Sequence, residues 1–151
     1  MKVQDILTLK NTDAISIAPT ATIGDLCRLL RDRHIGAATV SSDGGKIEGV
    51  ISERDVAYGL VTHGAALHTL PVSALMTRTV ITCAPTDRVA TVASTMLSRK
   101  IRHIPVEQNG RFIGMVSIRD VLSLRVNDLQ QETAQLRMFV TEIDRPLQDR
   151  E

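Results

Sequence analysis

The chain has 151 residues, 43% of them apolar, and its 18 basic and 17 acidic side chains leave a net charge of +1. That balance argues against a broad electrostatic nucleic-acid surface, and with only Tyr58, Phe112 and Phe139 as aromatics there is no base-stacking platform. No run approaches the roughly 18 apolar residues of a membrane span, the first residues lack a long apolar signal segment, and Cys27 and Cys83 form no Cys-x-x-Cys pair, so a soluble, cytoplasmic protein with reduced thiols is expected.

The first predicted strand is Ala14-Ile15-Ser16-Ile17, which runs into Ala18-Pro19-Thr20. A helix follows near Thr22, with Ile23, Leu26, Leu29 and Leu30 at helical spacing and Cys27 expected as a small buried residue. A short apolar strand at Ala37–Val40 and a polar turn, Asp43-Gly44-Gly45, lead into a second strand over 46–51, as in a hairpin. The next helix opens on Ser52-Glu53-Arg54-Asp55.

The same order then returns. Val80-Ile81-Thr82-Cys83-Ala84-Pro85-Thr86 matches the first strand and its Ala-Pro-Thr at an offset of 66 (80 − 14). A helix near Thr86 carries Val89, Val92, Met96 and Leu97; a strand over 103–106, the turn Gln108-Asn109-Gly110 and a strand over 111–116 follow. The segment Gly114-Met115-Val116-Ser117-Ile118-Arg119-Asp120 repeats Gly49-Val50-Ile51-Ser52-Glu53-Arg54-Asp55 at an offset of 65 (114 − 49). The pattern is β-α-β-β-α written twice. Two halves of about 60 residues would each be marginal alone, so they are expected to share an interface.

Ser52 and Ser117 are favoured helix caps, and Asp55 and Asp120 suit the positive end of a helix dipole. A single Ser-x-x-Asp is commonly a capping box and nothing more. Two copies carry a second meaning. A carboxylate can accept both hydroxyls of a ribose, a Ser hydroxyl and helix N–H groups can meet a phosphate, and Arg54 or Arg119 can add charge.

With these residues the chain resembles the cystathionine-β-synthase (CBS) domain family, and specifically a stand-alone bacterial-type tandem pair. The features that carry the resemblance are the repeat order, Ala-Pro-Thr before each first helix, Leu75-Met76-Thr77 ahead of the second repeat, Ile104-Pro105-Val106, and both Gly-h-h-Ser-x-x-Asp motifs, where h is apolar. The resemblance implies an α+β fold: two β-α-β-β-α repeats packed with pseudo-twofold symmetry, plus a long C-terminal helix. Repeat one is expected over 1–66, repeat two over 67–125 and the helical extension over 126–151. It further implies clefts for adenosine compounds such as AMP, ADP, ATP, NAD or S-adenosylmethionine, with no catalytic cofactor and no turnover. In that frame Asp55 and Asp120 are ribose ligands, with Ser52 and Ser117 near ribose or phosphate. Asp13, Ala14 and Ile15, or Thr79, Val80 and Ile81, lie beside the base. Arg102 and His103 are expected to serve phosphate in the Asp120 cleft, while Ile35, Gly36 and Ala37 form the small-residue wall of a roomier Asp55 cleft.

The four histidines are scattered, so no metal site is expected, and no Ser-His-Asp or Cys-His arrangement supports catalysis. The tail departs from the repeat. Leu122, Leu129, Leu136 and Ile143 recur every seven residues, with Val126, Thr133 and Val140 between them. A helix from 118 to about 144 with coiled-coil spacing is predicted, ending near Pro146, either folded back or paired with a second chain. The expected function is a regulatory, energy- or redox-sensing nucleotide module, a homodimer that signals to an unknown effector protein; the alternative is a ligand-free dimerisation scaffold.

Overall fold

The computed structural model describes residues 1–11 and 13–143. It divides into two compact units, Met1–Ile118 and Arg119–Glu151. The fold is α+β and contains the two repeats.

The first repeat holds β1 (Ser16–Ile17), α2 (Ile23–Arg33), β2 (Ala37–Val40), β3 (Gly49–Ser52) and α3 (Glu53–His63), preceded by α1 (Val3–Lys10). Its sheet has the order β1-β2-β3, with β1 parallel to β2 and β2 antiparallel to β3. Local chemistry sets the ends of α2. The Thr22 hydroxyl accepts from the Asp25 N–H at 3.1 Å, the Asp25 carboxylate accepts from the Thr22 N–H at 3.1 Å, and His34 closes the helix at φ 53. Ile23, Leu26 and Leu30 then pack on Ile17, Ala38, Val40 and Ile51 to form this repeat's core. Burial of a side chain such as Leu26 contributes about 1.5–3 kcal/mol. Cys27, expected to be buried, is exposed, because Leu26 and Leu30 carry the packed stripe.

The second repeat holds α4 (Val89–Arg99), β4 (His103–Gln108) and β5 (Arg111–Ser117), and α5 (Ile118–Ile143) follows directly. Its first strand is reduced to a single parallel bridge, Cys83 to Val106, in which the Cys83 N–H donates to Pro105 O at 3.0 Å and the Glu107 N–H donates to Cys83 O at 2.8 Å. The hairpin turns at Asn109 and Gly110, both at positive φ (52 and 75), the geometry that a tight two-residue turn between twisted strands requires. Met96, Ile104, Val106 and Val116 are fully buried here.

The helix α1 has no counterpart in the sequence reading. It packs on the second repeat, while the segment around 67–77 packs on the first, and the two exchanges match bond for bond. The Val3 N–H donates to Asp87 O and Gln4 N–H to Pro85 O, both at 2.9 Å; the Val72 N–H donates to Ala21 O at 2.7 Å and Ser73 N–H to Pro19 O at 3.0 Å. Met1 O accepts the first amide of α4 at 3.1 Å, as Leu70 O accepts that of α2 at 2.8 Å. Leu7 fills the space beside Gly114 as Met76 does beside Gly49. These paired bonds are the pseudo-twofold relation in atomic terms. A boundary after residue 66 therefore divides the repeat pattern but not the packing.

Cys83 illustrates what this packing does to chemistry. Burial, with a smaller contribution from the Asp87 charge, pushes its thiol up to about 12, so little nucleophilic thiolate exists at neutral pH. In a thiol titration of the native protein with an aromatic disulfide reagent, Cys27 is expected to react promptly and Cys83 only on unfolding. Two equally fast thiols would show that the 83–106 bridge opens readily.

Candidate functional site

The site is built around the start of α3. Ser52 leaves β3 in extended geometry (φ −122, ψ 167) and caps the helix. The Asp55 Oδ2 accepts from the Ser52 N–H at 2.8 Å and from the Ser52 hydroxyl at 3.2 Å, and the Asp55 N–H reaches the Ser52 oxygen at 3.4 Å. The next amide, Glu53 N–H, donates to Gly36 O at 2.9 Å. Three of the N-terminal amides of α3 are thus engaged, and the expectation that helix N–H groups meet a phosphate is correspondingly reduced. Side-chain cations remain for that role.

A cavity of about 210 Å³ opens beside this turn. One wall is Val50, Ser52, Glu53, Arg54 and Asp55; a second is Thr77, Thr79, Val80 and Ile81; the third is Lys100, Ile101, Arg102, His103 and Pro105. The third wall owes its position to Lys100, which ends α4 in the left-handed region (φ 54) and turns the chain so that the residues after it face the cavity. Arg54, Lys100 and Arg102 are exposed at the rim, whereas Asp55 and His103 are half-buried. Three fixed positive charges thus accompany the Glu53 and Asp55 carboxylates.

The arrangement brings together Ser52, Arg54, Asp55, Thr79, Val80, Ile81, Arg102 and His103 from the sequence-predicted set. It also revises their grouping. Arg102 and His103 line the cavity of Asp55, because the start of α3 in one repeat faces the start of β4 in the other. Gly36 shows how close that approach is: a Cβ there would sit 3.3 Å from the His103 ring and 3.4 Å from the Glu53 carboxylate. Ile35, Gly36 and Ala37 do not line this cavity, nor do Asp13, Ala14 and Ile15, which lie in the segment leading to β1. Ser117 ends β5 across from His103, and the Ile118 N–H donates to Arg102 O at 2.8 Å, mirroring the Glu53 to Gly36 bond. Arg119 and Asp120 lie in the first turn of α5 and belong to the second unit.

Lys100 and Glu53 also line the cavity, Lys100 from a basic cluster for which the sequence already allows a phosphate role and Glu53 without being singled out there. The signal for Lys100 was its place in the basic cluster Arg99-Lys100-Ile101-Arg102-His103; Glu53 was visible only as the variable position of the Ser-x-Arg-Asp motif. Among the described residues, no group of three or more His, Cys, Asp or Glu side chains could hold a metal ion. No described helix is long and apolar enough to cross a membrane.

The CBS domain profile matches residues 3–62 and again 72–127. The chain belongs to the CBS-domain family. Its tandem CBS repeats are 30% identical over 123 residues to a mitochondrial CBS domain-containing protein of Arabidopsis thaliana, CBSX3, covering 79% of this chain and 60% of that protein. The chain spans only about a quarter of two further Arabidopsis relatives, 25% and 23% of their lengths. Among solved structures, a CBS-domain protein of Agrobacterium tumefaciens superposes with a TM-score of 0.79 at 34% identity, covering 83% of this chain and 99% of that one. The CBS domain pair of protein MJ0100, solved with 5′-methylthioadenosine and S-adenosyl-L-methionine, gives 0.75 at 26% identity, covering 85% and 98%. The CBS domain protein PAE2072 of Pyrobaculum aerophilum, complexed with AMP, gives 0.70 at 29% identity, covering 80% and 89%.

Proposed function

We propose that this CBS pair is a regulatory module that binds an adenosine nucleotide, AMP, ADP, ATP or NAD, in the cavity at Asp55, and passes the event to a partner protein by a change of conformation or association. The observation that supports this is the composition of the cavity: the half-buried Asp55 carboxylate, the chain at Thr79, Val80 and Ile81 beside it, and the exposed cations Arg54, Lys100 and Arg102. The adenosine compounds bound by PAE2072 and MJ0100 support it. A volume of about 210 Å³ is below the roughly 300–1,000 Å³ of many small-molecule pockets. It suits a base and sugar, with phosphates reaching outward to the exposed cations. Ser117, Arg119 and Asp120 are the corresponding groups of the second motif. The module works in the cytoplasm as a homodimer and catalyses no reaction of its own.

A second reading is favoured by one specific observation. Ser52 and Asp55 already satisfy one another in a capping box, as they would in a scaffold that never binds ligand. A ligand selective for the native state separates the two, since it adds RT ln(1 + [L]/Kd) to stability, about 2.7 kcal/mol at one hundred times Kd. In a thermal-unfolding panel at millimolar ligand, AMP, ADP, ATP, NAD or S-adenosylmethionine is expected to raise the midpoint by several degrees, and guanosine nucleotides by less. No response from any of them, together with native mass spectrometry showing no ligand retained from purification, would establish the scaffold instead.

A further inference from the structure

We propose that the exposed stripe of α5 is the seam of a parallel, in-register, two-stranded coiled coil with a second copy of this chain. The inference rests on the reading of the protein as a homodimer and names the surface that makes it.

Among the described residues the stripe lies exposed. Val126, Leu129, Leu136, Val140 and Ile143 are about half exposed or more, from 49% for Leu129 to 73% for Ile143. Such a row of large apolar side chains in water is costly to leave unpartnered. Its spacing identifies the occupant. Leu122, Leu129, Leu136 and Ile143 fall at one seam position of a heptad, and Val126, Thr133 and Val140 at the other, so position a is β-branched throughout and position d is Leu at every place but the last, Ile143. That division favours two parallel strands over three or four.

Charge agrees with the same geometry. Glu132 falls at position g and Arg137 at position e five residues on, both exposed. In a parallel pair each Glu132 meets the Arg137 of the other copy, twice by symmetry, whereas an antiparallel pair sets g against g and e against e. Thr133 is the one polar residue of the seam. Its hydroxyl donates to Leu129 O at 2.8 Å, so it enters the seam already satisfied and needs no partner across it.

The test uses the full chain in sedimentation velocity over a micromolar concentration series. The wild type is expected to be dimeric, and Leu129→Glu with Leu136→Glu to weaken the dimer by at least about a hundredfold, a loss expected when two seam positions per strand become charged and unpaired. Gln131→Glu with Gln135→Glu adds the same charge to the outer face and is expected to leave the dimer intact. Glu132→Arg or Arg137→Glu alone should each weaken association, and the double variant should restore it. Far-ultraviolet circular dichroism confirms that each variant is folded. In a Cys27→Ser background, Leu136→Cys is expected to form a disulfide-linked dimer on oxidation. A monomeric wild type would overturn this proposal and the homodimer reading together. A Leu129→Glu, Leu136→Glu variant that stays dimeric would overturn the seam while leaving self-association in place. Failure of the charge exchange to rescue, with no crosslink at position 136, would overturn the parallel register.

Discussion

An Asp55→Ala variant is expected to bind adenosine nucleotides roughly 10- to 150-fold more weakly, the equivalent of the about 1.5–3 kcal/mol of a hydrogen bond to a charged group. Of the two carboxylates in the cavity wall, Glu53 is exposed and Asp55 is half-buried, and the half-buried one is the acceptor we propose for the ribose hydroxyls. Asp55 also caps α3 through Ser52, so alanine costs the unliganded protein about 1 kcal/mol as well. Asp55→Asn separates the roles: its amide oxygen can still accept the Ser52 N–H, so stability should recover while affinity stays reduced. Because Arg102 shares this cavity, Arg102→Ala is expected to weaken ATP more than adenosine, and its effect should shrink with added salt because the guanidinium is exposed. Calorimetric titration of the three variants with ATP and adenosine measures all of this. Undiminished binding by Asp55→Ala would reduce the motif to a helix cap, and equal losses of both ligands in Arg102→Ala would remove that residue from phosphate recognition.

Val3→Asp is expected to cost about 3 kcal/mol or more of folding stability, read as a lowered midpoint in urea unfolding. Val3 is completely buried although it stands at the third position of the chain. Its N–H is bonded to Asp87 O at 2.9 Å, so α1 is an integral part of the second repeat. A carboxylate there would lie among apolar side chains without a partner. Val72, also fully buried, is its equivalent in the first repeat, and Val72→Asp should do comparable damage. Thr8→Asp, on the exposed side of α1, should change little. If Val3→Asp were as stable as Thr8→Asp, the exchange of leading segments would not be a feature of the folded protein in solution.

That exchange was faintly visible in the sequence. Lys2-Val3-Gln4-Asp5-Ile6-Leu7-Thr8 lines up with Pro71-Val72-Ser73-Ala74-Leu75-Met76-Thr77 at an offset of 69 (72 − 3). Only Leu75-Met76-Thr77 stands out, because so short an apolar pattern has many chance matches. Other features were plain. The repeat, the Thr22 and Ser52 caps, the Asn109-Gly110 turn and the stripe of α2 all depend on residues a few positions apart, and such interactions act wherever the chain happens to lie. Even there the second repeat differed, since Val80 to Ala84 reads as a strand yet keeps only the Cys83 to Val106 bridge.

What the sequence determined by itself was therefore the local inventory: two β-α-β-β-α units, their caps and turns, the paired Ser-x-x-Asp motifs, and a final helix with a seven-residue repeat. The tertiary structure decided which of these meet. Asp55 and Arg102 are 47 residues apart (102 − 55), and their sharing of one cavity follows from the facing of two repeats whose motifs are nearly identical. Periodicity cannot choose between same-repeat and cross-repeat pairing when both present the same groups at the same spacing. The choice is made by long-range packing, in which α1 and the segment around 67–77 each complete the opposite core and so bring the start of α3 against the start of β4.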